Sequence, residues 1–199
     1  KSLYPGTIEK LSIGNSSYAV GNHQDYTELI SCLKDTCFPN LIDLQLGVWE
    51  LFHNAHCLYG KLGDITSLLQ NCPNLEKLGL YGAFELTESL EFKKLKDLSV
   101  VLEDCSNGSS GGFISQSTLS CLLDSQFNSV EEMYIDLLCD EDQFGYCFPD
   151  GFLSGNSLQS IRNLEITGGF KAGEKLRLLN SPIGSRPNVT YHLEDLLES

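Results

Sequence analysis

The segment LLQNCPNLEKLGLYG, residues 68–82, carries the pattern on which the fold prediction depends. Within it, Leu75, Leu78 and Leu80 follow the spacing apolar-x-x-apolar-x-apolar, with charged or small residues between them. In an extended strand, residues two apart point to the same side, so Leu78 and Leu80 share one face and the residues between them point away. The segment therefore predicts a short strand with one buried and one exposed face.

The same pattern occurs six times, so this segment is one unit of an internal repeat. The stretches are TIEKLSIG (7–14), FPNLIDLQLG (38–47), residues 68–82, KKLKDLSV (93–100), SVEEMYID (129–136) and SIRNLEIT (160–167). Their first apolar positions lie 20 to 35 residues apart, and a weaker seventh copy lies around Val189 and Tyr191. One such strand cannot bury its apolar face alone, but stacked parallel strands can.

Between the predicted strands the apolar period changes to that of a helix. Four amphipathic helices are predicted: 25–35, with Asp25 and Glu28 as a capping box, 62–72 behind an Asp64 N-cap, 117–126 behind Ser117, and 172–180 with Leu176 and Leu179. Too few residues separate the third and fourth strands for a full helix, so a turn or a short 3₁₀ segment is expected there.

These repeats carry a resemblance to a known family. FPNLIDLQL and CPNLEKLGL resemble leucine-rich repeats of the ribonuclease-inhibitor-like group, and LGVWEL (46–51) with residues 68–82 is also similar to uncharacterised bacterial leucine-rich-repeat proteins. The resemblance implies an α/β solenoid: a parallel sheet on the concave face, helices and turns on the convex face, and one domain of six to seven repeats over residues 1–199. It implies protein binding and carries over no catalytic residue. The Asn that usually follows the third apolar position is not regularly present, which predicts an irregular solenoid.

The charge of the chain restricts the class of partner. Thirteen Lys and Arg against 27 Asp and Glu give a formal net charge of −14, which disfavours nucleic acid and anionic lipid. This charge suits a protein with a basic surface or a cationic ligand, and the alternative is that the acidity serves solubility. No run of 18 apolar residues could span a bilayer, and the N-terminal residues do not form the apolar stretch of a signal peptide. The oligomeric state is left open by the sequence.

The eight cysteines form no Cys-x-x-Cys pair. Cys32 and Cys121 each lie nine residues before the first apolar position of a repeat, and Cys37 and Cys72 each close a helix before a Pro-Asn-Leu segment. Equivalent positions in repeats are usually filled for packing, so structural thiols and a reducing, cytoplasmic setting are predicted. The alternative is an extracellular recognition domain held by disulfides.

Only His53, His56 and Cys57 have the character of metal ligands, and a metal-dependent hydrolase built on this loop is the second alternative. Their spacing matches no familiar zinc motif, and GSSGG at 108–112 lacks the Lys and the strand-to-helix context of a phosphate-binding loop. A non-catalytic protein without a cofactor is therefore predicted.

The face formed by the strands remains as the candidate binding site. Residues between the core positions point to the side opposite the core, and Trp49, Tyr81 and Phe84 follow directly after strands. Aromatic residues at such a rim suit a binding role because they offer a large contact area with few rotamers to restrict. The predicted protein-binding residues are Asp43, Gln45, Trp49, Tyr81, Phe84, Glu132, Tyr134 and Asp136.

Overall fold

Each copy of the sequence repeat forms one strand in the computed structural model, which describes residues 4–14, 24–47, 60–102, 113–137 and 145–196. The strands are β1 (Lys10–Ile13), β2 (Gln24–Asp25), β3 (Asp43–Leu46), β4 (Gly60–Asp64), β5 (Lys77–Tyr81), β6 (Ala83–Glu85), β7 (Asp97–Val101), β8 (Glu132–Leu137), β9 (Asn163–Lys171) and β10 (Val189–Leu196). The helices are α1 (Thr27–Leu33), α2 (Thr66–Gln70), α3 (Gln116–Leu123), α4 (Asp150–Ser154) and α5 (Glu174–Leu179), and a 3₁₀ turn spans Pro5–Thr7.

Seven of these strands form one parallel sheet in the order β1-β3-β5-β7-β8-β9-β10. Their order in space is their order along the chain, and short helices or turns make the crossovers that parallel neighbours require. The α/β class and the parallel sheet are confirmed. A second sheet of three strands, β2-β4-β6, was not predicted.

The apolar positions of the repeat form the core on one side of the seven-stranded sheet. From the second copy to the sixth, the three apolar residues of each copy are at most 8% exposed, whereas Ile8 and Leu11 of the first copy are only partly buried. Burying one such side chain contributes about 1.5–3 kcal/mol. The assignment of this face of the strands to the core is confirmed.

Polar side chains just before the first apolar position join successive copies. The Nδ2 of Asn74 donates to the carbonyl oxygen of Pro39 at 2.7 Å, and the Oγ of Ser160 donates to that of Asn128 at 2.9 Å. The same position in other copies makes the same kind of bond through Asn40, Ser129 and Asn188. These bonds come from the residue before the first apolar position, and not from the position after the third, where the resemblance implies an Asn.

The crossover from β5 to β7 contains no helix, as predicted. Its place is taken by β6, by turns and by a bridge between Glu91 and Gln126. Among the residues that the structure describes, no helix combines the length and apolar character needed to cross a bilayer.

Three helix details differ from the predictions. Asp25 and Asp64 accept hydrogen bonds from the backbone N–H groups two residues ahead, so they form turns before the helices and not N-caps. In α3 the N-cap is Ser115, and not Ser117 as predicted. The face predicted for α5 was wrong, because Leu176 and Leu179 are 61% and 40% exposed. The shorter helix turns Leu178 inward instead, where it is fully buried.

Candidate functional site

The exposed face of the seven-stranded sheet brings together most of the predicted binding residues. Strand pairing aligns the residues between the core positions into rows that run across the sheet. The first row is Lys10, Asp43, Lys77, Asp97, Glu132 and Asn163, and the second is Ser12, Gln45, Gly79, Ser99, Tyr134 and Glu165. Asp43, Gln45, Glu132 and Tyr134 therefore share one surface, as the spacing predicts.

The N-terminal half of this face is close to electrically balanced. The Nζ of Lys10 lies 3.5 Å from the Oδ2 of Asp43, and the Nζ of Lys77 lies 3.7 Å from the Oδ2 of Asp97. The lysines are mostly exposed, so each pair contributes at most about 1 kcal/mol to stability. Their main effect is to neutralise the carboxylates of β3 and β7.

The C-terminal half carries carboxylates without such partners. Glu132 and Asp136 lie two positions before and after Tyr134 on β8, and Glu165 is the residue of β9 opposite Tyr134. No Lys, Arg or His of the described residues lies within ion-pair distance of these three carboxylates. The face therefore has a charge gradient that becomes more negative toward β8 and β9.

The surroundings of Asp136 change the pKa of its carboxyl group. Partial burial raises the pKa of its carboxyl group and the neighbouring Glu165 raises it further, whereas a hydrogen bond from the Oη of Tyr134 at 3.4 Å opposes the rise. Burial also raises the pKa of Tyr134, and the charges of Asp136 and Glu165 add to that rise. Negative charge is thus held here at a cost in free energy, which a nearby cation would reduce.

Tyr81 fills a gap in the face above a glycine. A Cβ atom on Gly79 would lie 2.7 Å from the Tyr81 Oη, so the ring occupies the space that a side chain at position 79 would take. Tyr81 is 8% exposed and its hydroxyl shares a hydrogen bond with Ser99. Burial raises the pKa of Tyr81, and the carboxylates of Asp97 and Asp43 add to the effect. The Gly-x-Tyr spacing was the signal for this contact, and it was missed.

Two predicted binding residues remain, Phe84 and Trp49. Phe84 is 2% exposed in β6, where it packs in the core and contributes almost no area to the face. Trp49 lies outside the described residues, as does the loop with His53, His56 and Cys57, so neither the aromatic anchor nor the metal alternative is tested. Within the described ranges, no group of three or more His, Cys, Asp and Glu residues is arranged to hold a metal ion.

A cleft of about 660 Å³ lies apart from this face, between β6 and the start of α3. Lys61, Glu85 and Ser117 contribute polar groups to it, and Phe113 contributes apolar surface. These residues do not form the pairing of a nucleophile with a base that covalent catalysis requires.

Comparisons of the chain with protein-family models, with curated proteins and with solved structures gave no match. The candidate site therefore depends on the geometry of this chain alone.

Proposed function

We propose that residues 1–199 form one leucine-rich-repeat solenoid domain of six or seven irregular repeats, and that it is a non-catalytic recognition module. Its concave side is the exposed face of the seven-stranded sheet, and its partner is a protein with a basic surface. The proposed setting is the reducing cytoplasm, in keeping with the free thiols of the described cysteines.

The order of the strands and the bonds between copies support the solenoid. Successive copies are neighbours in the sheet, and each is joined to the copy before it by backbone and side-chain hydrogen bonds. An architecture in which each unit contacts mainly its sequence neighbours is typical of repeat proteins. Such a sheet offers a broad surface for a partner.

The charge gradient carries the proposal of a basic partner. Lysines neutralise the carboxylates of β3 and β7, whereas Glu132, Asp136 and Glu165 surround Tyr134 without a cation from the described residues. Arg and Lys side chains of a partner would relieve the repulsion among these carboxylates. We therefore place the centre of recognition on β8 and β9.

The test compares two charge-matched triple variants. The face variant is Glu132→Gln, Asp136→Asn and Glu165→Gln. The control is Glu28→Gln, Asp35→Asn and Glu88→Gln, which removes the same charge from exposed positions outside the face. Circular dichroism establishes that both are folded, and immobilised proteins then capture partners from a cell lysate at low and high salt.

We expect wild type and control to retain the same basic protein, and the face variant to lose at least about tenfold in affinity, as removal of well-placed interfacial charges does. Retention should fall as salt rises, because exposed charges are screened. Equal retention by the face variant would overturn the proposed site, and retention of acidic proteins alone would overturn the proposed partner chemistry.

A further inference from the structure

Two cysteines outside the sheet face hold related places in neighbouring repeats. Cys37 lies in the loop after α1 and Cys72 in the loop after α2, and each loop leads into a Pro-Asn-Leu segment. The functional proposal makes no use of either thiol. Both belong to the free cysteines of the described residues.

Hydrogen bonds hold these two loops against each other. The N–H of Phe38 donates to the carbonyl oxygen of Asn71 at 2.9 Å, and the Nδ2 of Asn71 donates to the carbonyl oxygen of Lys34 at 2.6 Å. Cys37 directly precedes Phe38, and Cys72 directly follows Asn71. The loops are therefore fixed together at the residues adjoining the cysteines.

Covalent geometry then limits the separation of the two cysteines. With one hydrogen bond between their chain neighbours, the Cα atoms of Cys37 and Cys72 lie at most about 8 Å apart. A disulfide needs a Cα separation of about 4.4–6.8 Å, which lies within this limit. The electrostatics agree, because burial raises the pKa of the Cys72 thiol to about 12 and the nearby Cys37 adds to that rise.

The two thiols differ in their access to solvent. Cys37 is exposed, whereas Cys72 is 4% exposed and its Sγ donates to the carbonyl oxygen of Leu68 at 3.2 Å. A soluble reagent therefore reaches Cys37 first. Cys72 is shielded from bulky reagents and lies in the loop next to Cys37.

We propose that Cys37 is a redox modification site and that Cys72 is its resolving thiol, which together form a disulfide between neighbouring repeats when a low-molecular-weight disulfide such as oxidised glutathione accumulates. In the first step the Cys37 thiolate attacks one sulfur of oxidised glutathione, forming a mixed disulfide and releasing one glutathione thiolate, which takes up a proton. In the second step Cys72 loses its proton and attacks the Cys37 sulfur, releasing the second glutathione. Two protein thiols are oxidised, and one glutathione disulfide is reduced to two thiols.

The bond would connect two copies of the repeat on the side away from the sheet face. It closes a loop of about 35 residues, and the chain-entropy effect of such a loop raises the folding equilibrium constant by roughly two to three orders of magnitude. Oxidation would thus stabilise the stack of the second and third copies and leave the residues of the sheet face unchanged.

The test uses the full chain and oxidised glutathione as the probe. The protein is incubated with it, alkylated under denaturing conditions, digested without reductant and analysed by peptide mass spectrometry. Four variants are compared with wild type: Cys37→Ser, Cys72→Ser, Cys72→Ala as a second replacement for the buried thiol, and Cys32→Ser as the control for an exposed cysteine on α1. Circular dichroism establishes that each is folded, and thermal unfolding is followed with and without oxidation.

We expect a peptide joining Cys37 to Cys72 in wild type and in Cys32→Ser, with a higher unfolding midpoint after oxidation. Cys37→Ser should give neither result, and the Cys72 variants should keep glutathione on Cys37 as a stable adduct. A wild-type protein in which Cys37 remains glutathionylated, or pairs with another cysteine, overturns the proposal. So does a joined peptide whose formation leaves the unfolding midpoint unchanged.

Discussion

Replacing Gly168 with alanine should destabilise the fold strongly, because this residue meets the backbone of the neighbouring strand. Gly168 has a φ of 141°, a conformation that is rarely adopted by residues with a side chain, and it pairs with Leu137 across β8 and β9. A Cβ atom here would lie 1.9 Å from the Leu137 carbonyl oxygen. Backbone strain of about 1–3 kcal/mol and overpacking of about 1–3 kcal/mol together give a loss of about 4 kcal/mol.

Gly173 provides a matched control, since it also has a positive φ, of 85°, but an added Cβ atom would meet nothing within 4 Å. Gly173→Ala should therefore cost only the backbone strain, about 2 kcal/mol. Urea unfolding followed by far-ultraviolet circular dichroism gives both free energies of unfolding. The expected difference is the overpacking cost of about 2 kcal/mol, which corresponds to a thermal unfolding midpoint about 4–8 °C lower for Gly168→Ala than for Gly173→Ala. Equal losses in the two variants would refute the reasoning, because they would leave no cost for the contact with Leu137.

Two further predictions concern Asp136 and α5. Asp136→Asn should raise the free energy of unfolding at neutral pH, because burial and Glu165 raise the pKa of this carboxyl group in the folded state. The folded protein then holds this proton to higher pH than the unfolded chain does, so wild type loses stability as pH rises from the unfolded pKa of about 4 through the raised one. Urea titrations at several pH values should show that loss reduced in the variant, and an unchanged pH dependence would contradict the prediction. Leu178→Ala should cost about 2–5 kcal/mol and Leu176→Ala less than about 0.5 kcal/mol, because only Leu178 is buried. Equal losses of unfolding free energy for the two variants in the same urea assay would contradict the assignment of Leu178 to the buried face of α5.

The rise in stability expected for Asp136→Asn has a functional meaning. A residue kept for the fold alone would destabilise the protein when changed, whereas a carboxylate that raises the free energy of the folded state is typical of a binding site. The same substitution belongs to the face variant, for which we expect weaker partner binding. Greater stability together with weaker binding would separate the two roles of this residue.

Much of the seven-stranded sheet was predictable because its signal is local. The spacing of Leu75, Leu78 and Leu80 specifies which side of a strand is apolar, and repetition of that spacing predicts parallel neighbours. Helix faces were less predictable, because a helix of only a few residues is determined by packing more than by periodicity. For that reason Leu178, and not Leu176 or Leu179, is the leucine of α5 that packs into the hydrophobic core of the protein.

The sequence predicted which residues of the candidate site share one face of the sheet, but it did not predict which of their charges are neutralised. Alternation along a strand placed Asp43, Gln45, Glu132 and Tyr134 on one face. Which carboxylates are neutralised depends on the strand that lies next to each one, and the short crossover after β5 is what brings Asp97 beside Lys77. Phe84 was expected just after a strand of the main sheet, but it lies in β6 of the second sheet, whose strands do not carry the apolar spacing of the repeat.

The sequence by itself determined the strands of the seven-stranded sheet, their buried faces and their parallel pairing, because these depend on a side-chain pattern within a few residues. Only the tertiary structure decided the contacts across that stack: the ring of Tyr81 over Gly79, the grouping of acids around Tyr134, and the loops that hold Cys37 near Cys72. These contacts join residues from different positions or different copies of the repeat. Their geometry depends on how each copy of the repeat packs against the next. The spacing of apolar residues within one copy does not specify that packing.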